Sequence, residues 1–360
     1  MRKHYIDNLR SLVILLLIPY HAAQAWNTWG EPHYLMFGTS RTFSSIIVTF
    51  SPFIMPLLFL LAGMSTRFAL NKRSAGQYIL ERVKRLIVPL VFGTLVFVPV
   101  MTYLADKYNY GYDGSFFAHY KVFFTKFTDF TGADGGFSFG QFWFLLYLFV
   151  ISVICLGIIL LQKKFIPKAK GNVPLWLIIL LGLPLPFIGG LLEVGGKSLV
   201  LFAYLFLIGY YVFANDEVVE KIKRVKFIFL AIGLISCIAN VYMFIWSGKS
   251  FGVFNTAANY ITGWFMILAL IGIGKDHIDG NGKISSYLSR ISFAFFGLHF
   301  IILVVMQFLM AGIFENNRFL LFLIPVIVSY ALTFAFSEIF VRIPPLSFLI
   351  GVKPRSGNLN

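Results

Sequence analysis

The chain alternates between long apolar stretches and short polar segments. About ten of these stretches are long enough to cross the hydrocarbon core of a bilayer, which takes roughly 20 apolar residues as a helix. The two-residue alternation typical of strands is absent, and backbone polar groups in lipid must find partners within their own segment. We therefore predict an all-α fold, a polytopic membrane helix bundle with about ten spans. The predicted spans are 9–26, 43–68, 86–104, 141–161, 173–190, 198–214, 227–246, 257–274, 291–310 and 319–341.

The distribution of basic residues predicts how these spans are oriented. If the N-terminus is cytoplasmic, the segments on that side hold 23 of the 30 Lys and Arg residues. Cytoplasmic loops of membrane proteins carry such an excess of positive charge. We therefore expect both termini to be cytoplasmic and the protein to be a multi-pass protein of the cytoplasmic (inner) membrane.

Composition excludes several classes of protein. Hydrophobic residues make up 58% and charged residues 12% of the chain, and the mean hydropathy is +0.81. A soluble domain carries about 25% charged residues, so a soluble enzyme, a disordered chain and a disulfide scaffold are all excluded. The net charge of +15 would suit nucleic acid, but the basic residues lie in short loops between apolar stretches, where they face anionic lipid instead. Cys155 and Cys237 lie inside apolar stretches and do not indicate a disulfide.

The domain organisation follows from these spans. We predict a single transmembrane domain at 1–342 and a short polar cytoplasmic tail at 343–360. The basic N-terminus, the first apolar stretch and Ala23-Gln24-Ala25 together resemble a cleaved signal peptide. We expect no cleavage, because Arg10 and His21 interrupt that stretch and nine further spans follow it.

The longest predicted outer loop, about 105–140, combines aromatic residues with glycines. Two readings of this loop remain open. The aromatic rings are suited to stacking on sugars, and they are equally typical of the aromatic belt at a membrane interface.

The first span carries an arginine and a histidine eleven residues apart. At 100° and 1.5 Å per residue, this spacing is about three turns plus 20°, so both side chains share one helix face about 16 Å apart. Asp7 lies three residues before Arg10 and is placed to hold its guanidinium. Ionisable residues inside a span are costly and usually functional. Two structural alternatives remain open: Arg10 as a topological anchor, and His21 as a hydrogen-bonded contact between helices.

Basic residues also open the third span. Arg82 and Arg85 are three apart, which on an α-helix directs them the same way, and Lys84 lies between them. Two guanidinium groups at a cytoplasmic helix end can bind phosphates. The alternative, that these residues only set the topology, is favoured by spacing alone.

Three further features carry polar groups into or next to the apolar stretches. His299 lies about eight residues inside the ninth span, Glu338 and Arg342 form an i, i+4 pair in the tenth, and Trp143 opens the fourth. A Glu–Arg pair of this kind is often structural, and Trp143 suits either a membrane belt or a sugar platform. No phosphate-binding glycine loop, nucleophile elbow or metal-type cluster of His and Cys is present, so we expect no metal.

Several of these motifs resemble those of a known family, the acyltransferase family 3 membrane proteins. Asp7-x-x-Arg10-x10-His21 is similar to the family's first-helix motif, and Arg82-x-x-Arg85 with Pro89 resembles its second. The other similar phrases are Leu58-Phe59-Leu60-Leu61-Ala62-Gly63, Trp143-Phe144-Leu145 and Leu298-His299. Ala62 departs from the family pattern, where a serine is usual. The residues around Asp7 and His21 look closest to the branch that includes the glucan-modifying succinyl transferases.

The resemblance implies transfer of an acyl group from acyl-CoA to a hydroxyl, usually of a carbohydrate outside the cell. As a hypothesis on that basis, Arg10, Arg82, Lys84 and Arg85 bind the CoA phosphates, and the pantetheine arm runs alongside the first span.

In the same hypothesis, His21 acts as general base or forms an acyl-histidine, and Asp7 and His299 assist it. Tyr20, Trp143 and Glu338 are the candidates for binding substrate. The partners would be an extracytoplasmic carbohydrate and membrane lipid, without nucleic acid.

Two other classes of function remain. A transporter or flippase of a polysaccharide or lipid-linked sugar would also have many spans and intramembrane charges. A non-catalytic assembly or sensor protein would tolerate loss of Arg10 and His21. The acetyl or succinyl identity of the acyl group and the identity of the acceptor are not readable from the sequence.

Overall fold

The structure is a computed structural model that describes residues 3–130, 136–165 and 173–352, with the backbone alone at 128–130 and 163–165. Almost all of this is helical. In chain order the helices are α1 (His4–Leu15), α2 (Leu17–Gln24), α3 (Arg41–Phe50), α4 (Ile54–Leu70), α5 (Ala75–Arg82), α6 (Val88–Val96), α7 (Val98–Asn109), α8 (Phe116–Thr125), α9 (Trp143–Phe165), α10 (Leu175–Leu180), α11 (Leu185–Ile188), α12 (Leu199–Ile208), α13 (Asp216–Arg224), α14 (Lys226–Val241), α15 (Val253–His277), α16 (Lys283–Ala311), α17 (Arg318–Arg342) and α18 (Pro344–Leu349).

Short helical variants and strands complete the secondary structure. Three π-helical turns cover Val83–Ile87, Gly209–Phe213 and Tyr242–Trp246, and a 3₁₀ turn covers Gly140–Phe142. The strands are β1 (Phe127–Phe130), β2 (Phe137–Ser138), β3 (Glu193–Val194) and β4 (Lys197–Ser198). They form two small two-stranded sheets, β1 with β2 and β3 with β4. Both lie in connections between helices, so the predicted all-α membrane bundle is confirmed.

Eight of the ten predicted spans are confirmed as helices long and apolar enough to cross a membrane. Within the described ranges, these eight run from His4–Gln24 to Arg318–Arg342, and a bent pair of helices would make a ninth. A run of about 20 apolar residues was therefore sufficient to predict each of these eight helices.

The two shortest predicted spans are not regular spans. Segment 173–190 consists of the short helices α10 and α11, which are separated by turns. Pro184 and Pro186 lie at that interruption, where a proline removes a helix donor. Segment 198–214 consists of α12 and a π-helical turn, and the chain then bends by 96° into α13. The described residues therefore contain eight long apolar helices and one bent pair, where about ten spans were predicted.

The chain divides into two compact units. The first contains Met1–Val13, Val48–Glu81 and Tyr147–Ser289. Within it α14 packs against α15, and Asn240 accepts a 3.0 Å hydrogen bond from Asn255 across this pair. Helices α4 and α12 pack closely in the same unit. A Cβ added at Gly63 would lie only 1.9 Å from the carbonyl oxygen of Phe206, so the backbones approach as closely as glycine allows.

The second unit contains Ile14–Ile47, Arg82–Leu146 and Arg290–Asn360. Part of its core is a cluster of buried apolar residues centred on Trp26, whose ring lies 4.8 Å from that of Phe43. Helices α7 and α8 are joined by a buried polar contact, in which His119 Nε2 lies 2.9 Å from Asp106 Oδ2. The candidate catalytic histidines belong to this unit.

The predicted polar tail begins differently from what we expected. Residues Pro344–Leu349 form α18, and Ser347 within it is fully buried. Gly351 follows with φ +71°, and a Cβ there would meet the carbonyl oxygen of Arg85 at 2.7 Å. Residues 344–352 therefore fold onto the second unit because a glycine permits both the turn and the close approach. The remainder of the predicted tail, 353–360, lies outside the described residues, as do 131–135 of the predicted outer loop.

The close packing of α4 and α12 yields a stability prediction. We expect Gly63→Ala to lower the unfolding free energy by about 1–3 kcal/mol, because the added methyl group forces the two backbones apart. Gly157→Ala is the matched control, since a Cβ at that helical position meets nothing within 4 Å. The measurement is the thermal unfolding midpoint of each variant in detergent, and equal midpoints for Gly63→Ala and the wild type would contradict the packing.

Candidate active site

The first span is interrupted just before His21. Helix α1 ends at Leu15 and α2 begins at Leu17. Pro19, four residues after Leu15, has no N–H to donate to the Leu15 carbonyl. The hydroxyl of Tyr330 in α17 donates to that carbonyl at 2.6 Å. The break is thus satisfied by a side chain, as an apolar interior requires. The single continuous helix assumed for the Arg10–His21 stripe is therefore two pieces, and the shared face remains a prediction.

The His21 imidazole is held among aromatic rings of the second unit. It stacks on Phe300 at a centroid distance of 4.2 Å and meets the edge of Tyr20 at 5.3 Å. The ring of His299 lies 5.5 Å away. The side chain is half-buried, and among the described residues its Nδ1 atom has no hydrogen-bond partner. The structure thus brings together two histidines that the sequence placed in different spans.

His299 has a tautomer that is set by its own helix. Its Nδ1 lies 2.8 Å from the carbonyl oxygen of Phe296. A carbonyl only accepts, so Nδ1 carries the proton and, in the neutral ring, Nε2 carries the lone pair. Nε2 is buried and has no hydrogen-bond partner in the part of the chain that the structure describes. A buried nitrogen lone pair held without a partner in an apolar interior is a group available to a ligand.

A third histidine, which the sequence analysis did not single out, completes this group. His33 lies in the connection between α2 and α3, and it is only 5% exposed. Its imidazole stacks on Phe300 at a centroid distance of 5.6 Å, and among the described residues its buried Nε2 has no hydrogen-bond partner. Burial lowers the pKa of His33 to about 4, against the opposing effect of the His21 backbone. We refer to His21, His33 and His299 as the histidine cluster.

Two buried glutamines donate hydrogen bonds to the helices that carry His21 and His299. Gln141 donates to the Gly297 carbonyl and Gln307 donates to the Ala22 carbonyl, each at 3.3 Å. The side-chain oxygens of both amides are buried and lack a partner among the described residues. Gln307 interrupts the apolar stretch two turns after His299, a signal that the sequence analysis passed over.

Open space lies beside α16 at Gly297. Gly297 is buried, yet a Cβ added to it would meet no atom within 4 Å. In a close-packed interior a buried helical position normally has neighbours at that distance. Positions two residues apart on an α-helix differ by about 200° around its axis, so this space lies on the opposite face of α16 from His299.

The predicted contact between Arg10 and Asp7 is present, and Arg10 has a further partner. Arg10 Nη1 contacts Asp7 Oδ1 at 3.2 Å, and its Nη2 donates to the Ser65 hydroxyl at 3.0 Å. All three residues belong to the first unit. Both roles proposed for this pair, Arg10 in binding the donor and Asp7 in catalysis, remain predictions.

The regular spacing assumed for Arg82 and Arg85 does not hold. A π-helical turn covers Val83–Ile87, so the α-helical rule for residues three apart does not apply. Its cause is Pro89, which has no N–H to donate to the carbonyl of Arg85. Arg82 is half-buried, whereas Lys84 and Arg85 are exposed. The prediction that these residues bind phosphate remains untested by this geometry.

The three candidates for substrate binding lie in different surroundings. Tyr20 contacts His21, and Trp143 is half-buried at the first position of α9. Glu338 accepts from both Arg290 and Arg342, each at 2.7 Å. The predicted i, i+4 pair is thus present, and the second arginine joins α16 to α17. A role in substrate binding remains a prediction for all three.

The histidine cluster is suited to moving a proton inside an apolar bundle. Imidazole is the side chain that exchanges protons near neutral pH, and buried unpartnered nitrogens are poised to bind a hydroxyl. Within the described part of the chain, no group of three or more His, Cys, Asp or Glu residues is arranged to hold a metal ion.

Comparison with known proteins gives one match. Residues 3–338 match the family model Acyl_transf_3, described as an acyltransferase domain. No curated protein and no solved structure matches the chain.

Burial of His33 yields a prediction about acid stability. The fold favours the neutral form of His33. Its contribution to the unfolding free energy is therefore complete above the unfolded-state pKa of 6.5 and is lost as the pH falls toward the folded-state pKa of about 4. We expect the wild type to lose up to about 3 kcal/mol more than His33→Asn between pH 7.5 and 4. Detergent unfolding of both proteins across this range measures the difference, and parallel pH curves would contradict the burial of a neutral His33.

Proposed function

Because the chain belongs to acyltransferase family 3, we propose that it transfers an acetyl or succinyl group from cytoplasmic acyl-CoA to a hydroxyl of an extracytoplasmic carbohydrate. Membership makes the protein a membrane acyltransferase and favours this activity over a transporter or flippase. The observation that carries the proposal is the histidine cluster, in which His21 and His299 lie 5.5 Å apart with buried, unpartnered ring nitrogens.

The proposed general base is His21. In its neutral form it takes the proton of the acceptor hydroxyl, and the acceptor oxygen attacks the thioester carbonyl. The new C–O bond forms, the C–S bond breaks, and the CoA thiolate takes the proton from the imidazolium. In the alternative, a nitrogen of His21 attacks the thioester first, so that a C–N bond forms as the C–S bond breaks and the CoA thiolate leaves. The acceptor oxygen then forms the C–O bond as the C–N bond breaks, and the proton of the acceptor hydroxyl passes by way of the released imidazole to the thiolate. Both routes need a nitrogen of His21 without an internal hydrogen bond, and Nδ1 has none among the described residues.

His299 is proposed to assist this step. Its protonated Nδ1 is bound to the carbonyl of Phe296, so only Nε2 can accept a hydrogen bond. A hydroxyl donating to this nitrogen would be held beside His21. Electrostatic groups that are already oriented cost no reorganisation when charge develops.

The donor is proposed to bind through cations at the cytoplasmic side. Arg82, Lys84 and Arg85 surround the π-helical turn before α6, and guanidinium groups suit phosphate oxygens. In the first unit, Arg10 of α1 is oriented by Asp7 and Ser65, and it is proposed separately as a cation that binds phosphate. The connection between α2 and α3 is predicted to lie on the extracytoplasmic side of the membrane, where it would face the carbohydrate.

The direct experiment compares cell-envelope carbohydrates from cells with and without the protein by mass spectrometry. We expect loss of an acetyl or succinyl mass increment from one carbohydrate class when the protein is absent. Identical carbohydrate profiles in cells known to express the protein would contradict the proposed reaction.

Replacement of His21 tests the general base. We expect His21→Ala to reduce turnover about 10²- to 10⁴-fold, the usual contribution of a positioned base, while the protein still inserts and binds CoA. His277→Ala is the control, because that histidine is exposed at the end of α15. Turnover is measured with labelled acyl-CoA in membranes, and normal turnover by His21→Ala would end the proposed role.

Replacement of Arg82 tests the donor site. We expect Arg82→Ala to raise the KM for acyl-CoA about tenfold, as loss of one charge-assisted phosphate contact predicts. Arg224→Ala, at an exposed arginine of α13, is the matched control. CoA-induced thermal stabilisation provides the binding readout, and an unchanged CoA affinity would count against the phosphate contact.

A further inference from the structure

We propose that Nε2 of His33 binds a hydroxyl of the carbohydrate acceptor other than the one that His21 deprotonates, so that a second imidazole of the histidine cluster orients the acceptor. This inference rests on the proposed function and adds a residue that determines how the carbohydrate is bound. It stands on the position of His33, on its buried Nε2, which has no partner among the described residues, and on the connection that carries it.

The connection between α2 and α3 is ordered by two asparagines. Asn27 donates to the carbonyls of Gln24 and Glu31, and its own side-chain oxygen accepts from the Glu31 N–H. Asn109, at the end of α7, donates to the Tyr34 carbonyl at 2.9 Å and accepts from Met36 N–H at 3.1 Å. Both sides of His33 are therefore fixed, which is what positioning a ligand-binding side chain requires.

The His33 side chain is buried, and its Nε2 has no hydrogen-bond partner among the described residues. Each nitrogen of a neutral imidazole can either donate or accept a hydrogen bond, and in the tautomer with Nδ1 protonated Nε2 carries the lone pair. Leaving such a buried polar atom unpaired is costly. A hydroxyl ligand would satisfy it.

The position of His33 links this acceptor to the base. His33 and His21 both stack on Phe300, at centroid distances of 5.6 and 4.2 Å, while Tyr34 meets the edge of the same ring at 5.3 Å. These rings thus share one aromatic support. A hydroxyl held by Nε2 of His33 would bind beside the same phenyl ring that supports His21.

The ligand in question is the acceptor because of where the connection lies in the chain. It follows the first span, and by the predicted orientation it lies on the extracytoplasmic side, from which the carbohydrate comes. The cations proposed for CoA lie at the other end of the spans. A sugar hydroxyl is a donor as well as an acceptor and so matches the lone pair of Nε2.

Two substitutions separate the two nitrogens of His33. Asn places an amide group near the position of Nδ1 and lacks any atom at Nε2, so His33→Asn keeps a polar group in the connection and removes the partner of the hydroxyl. Gln reaches further and places an amide oxygen near the position of Nε2. His277→Asn, at an exposed histidine, is the matched control.

The assay uses labelled acetyl-CoA and succinyl-CoA, with the carbohydrate fraction extracted from cells lacking the protein as the acceptor. We expect His33→Asn to raise the apparent KM for this fraction about tenfold or more, with kcat changed by less than about twofold and the KM for acyl-CoA unchanged. We expect His33→Gln to recover part of the loss. A wild-type KM for the fraction in His33→Asn would overturn the inference, as would an equal fall in kcat for both variants.

A binding measurement keeps this result separate from the proposed reaction. The carbohydrate fraction and CoA are added in turn while the thermal unfolding midpoint is recorded. We expect both to stabilise the wild type, and only CoA to stabilise His33→Asn. If the fraction does not stabilise the wild type, the inference about His33 is wrong, whatever the activity. If both ligands stabilise it but no acyl group is transferred, the proposed reaction fails while the binding role of His33 stands.

Discussion

The need to satisfy every polar group inside an apolar bundle is the constraint on which this structure depends. It is met at the break in the first span, where Pro19 leaves the Leu15 carbonyl without a donor and Tyr330 supplies one. It is also met where Gln307 donates to Ala22. Against this background, ring nitrogens of the histidine cluster stay unpartnered among the described residues. Retention of such costly groups is characteristic of a site that binds a ligand.

Much of the fold could be predicted from the sequence, because a membrane span needs little more than a long apolar stretch. The two predicted spans without one continuous long helix are those in which short length and prolines compete with helix continuity, as in α10 and α11. The first residues after Arg342 are apolar enough to pack as α18, which their short length concealed in the sequence.

The candidate site could be predicted only in part. His21 and His299 were visible as ionisable residues within apolar stretches, but their 5.5 Å separation depends on packing between elements far apart in the chain. His33 lies in a connection, where a histidine is ordinarily solvated, so nothing in the sequence indicated its burial. The spacing of Arg82 and Arg85 could not predict the directions of their side chains, because Pro89 converts the α-helix to a π-helical turn. The same proline is part of the motif that resembles the family.

The hydrogen bond of His299 has a consequence for the membrane itself. Its ring uses Nδ1 to donate to the backbone carbonyl of Phe296, and an amide carbonyl has no proton to pass on. A proton that reaches Nε2 must therefore leave by the same atom, so this imidazole cannot act as a link in a proton-conducting chain. The protein can thus keep this basic group inside the bundle without opening a proton leak across the membrane.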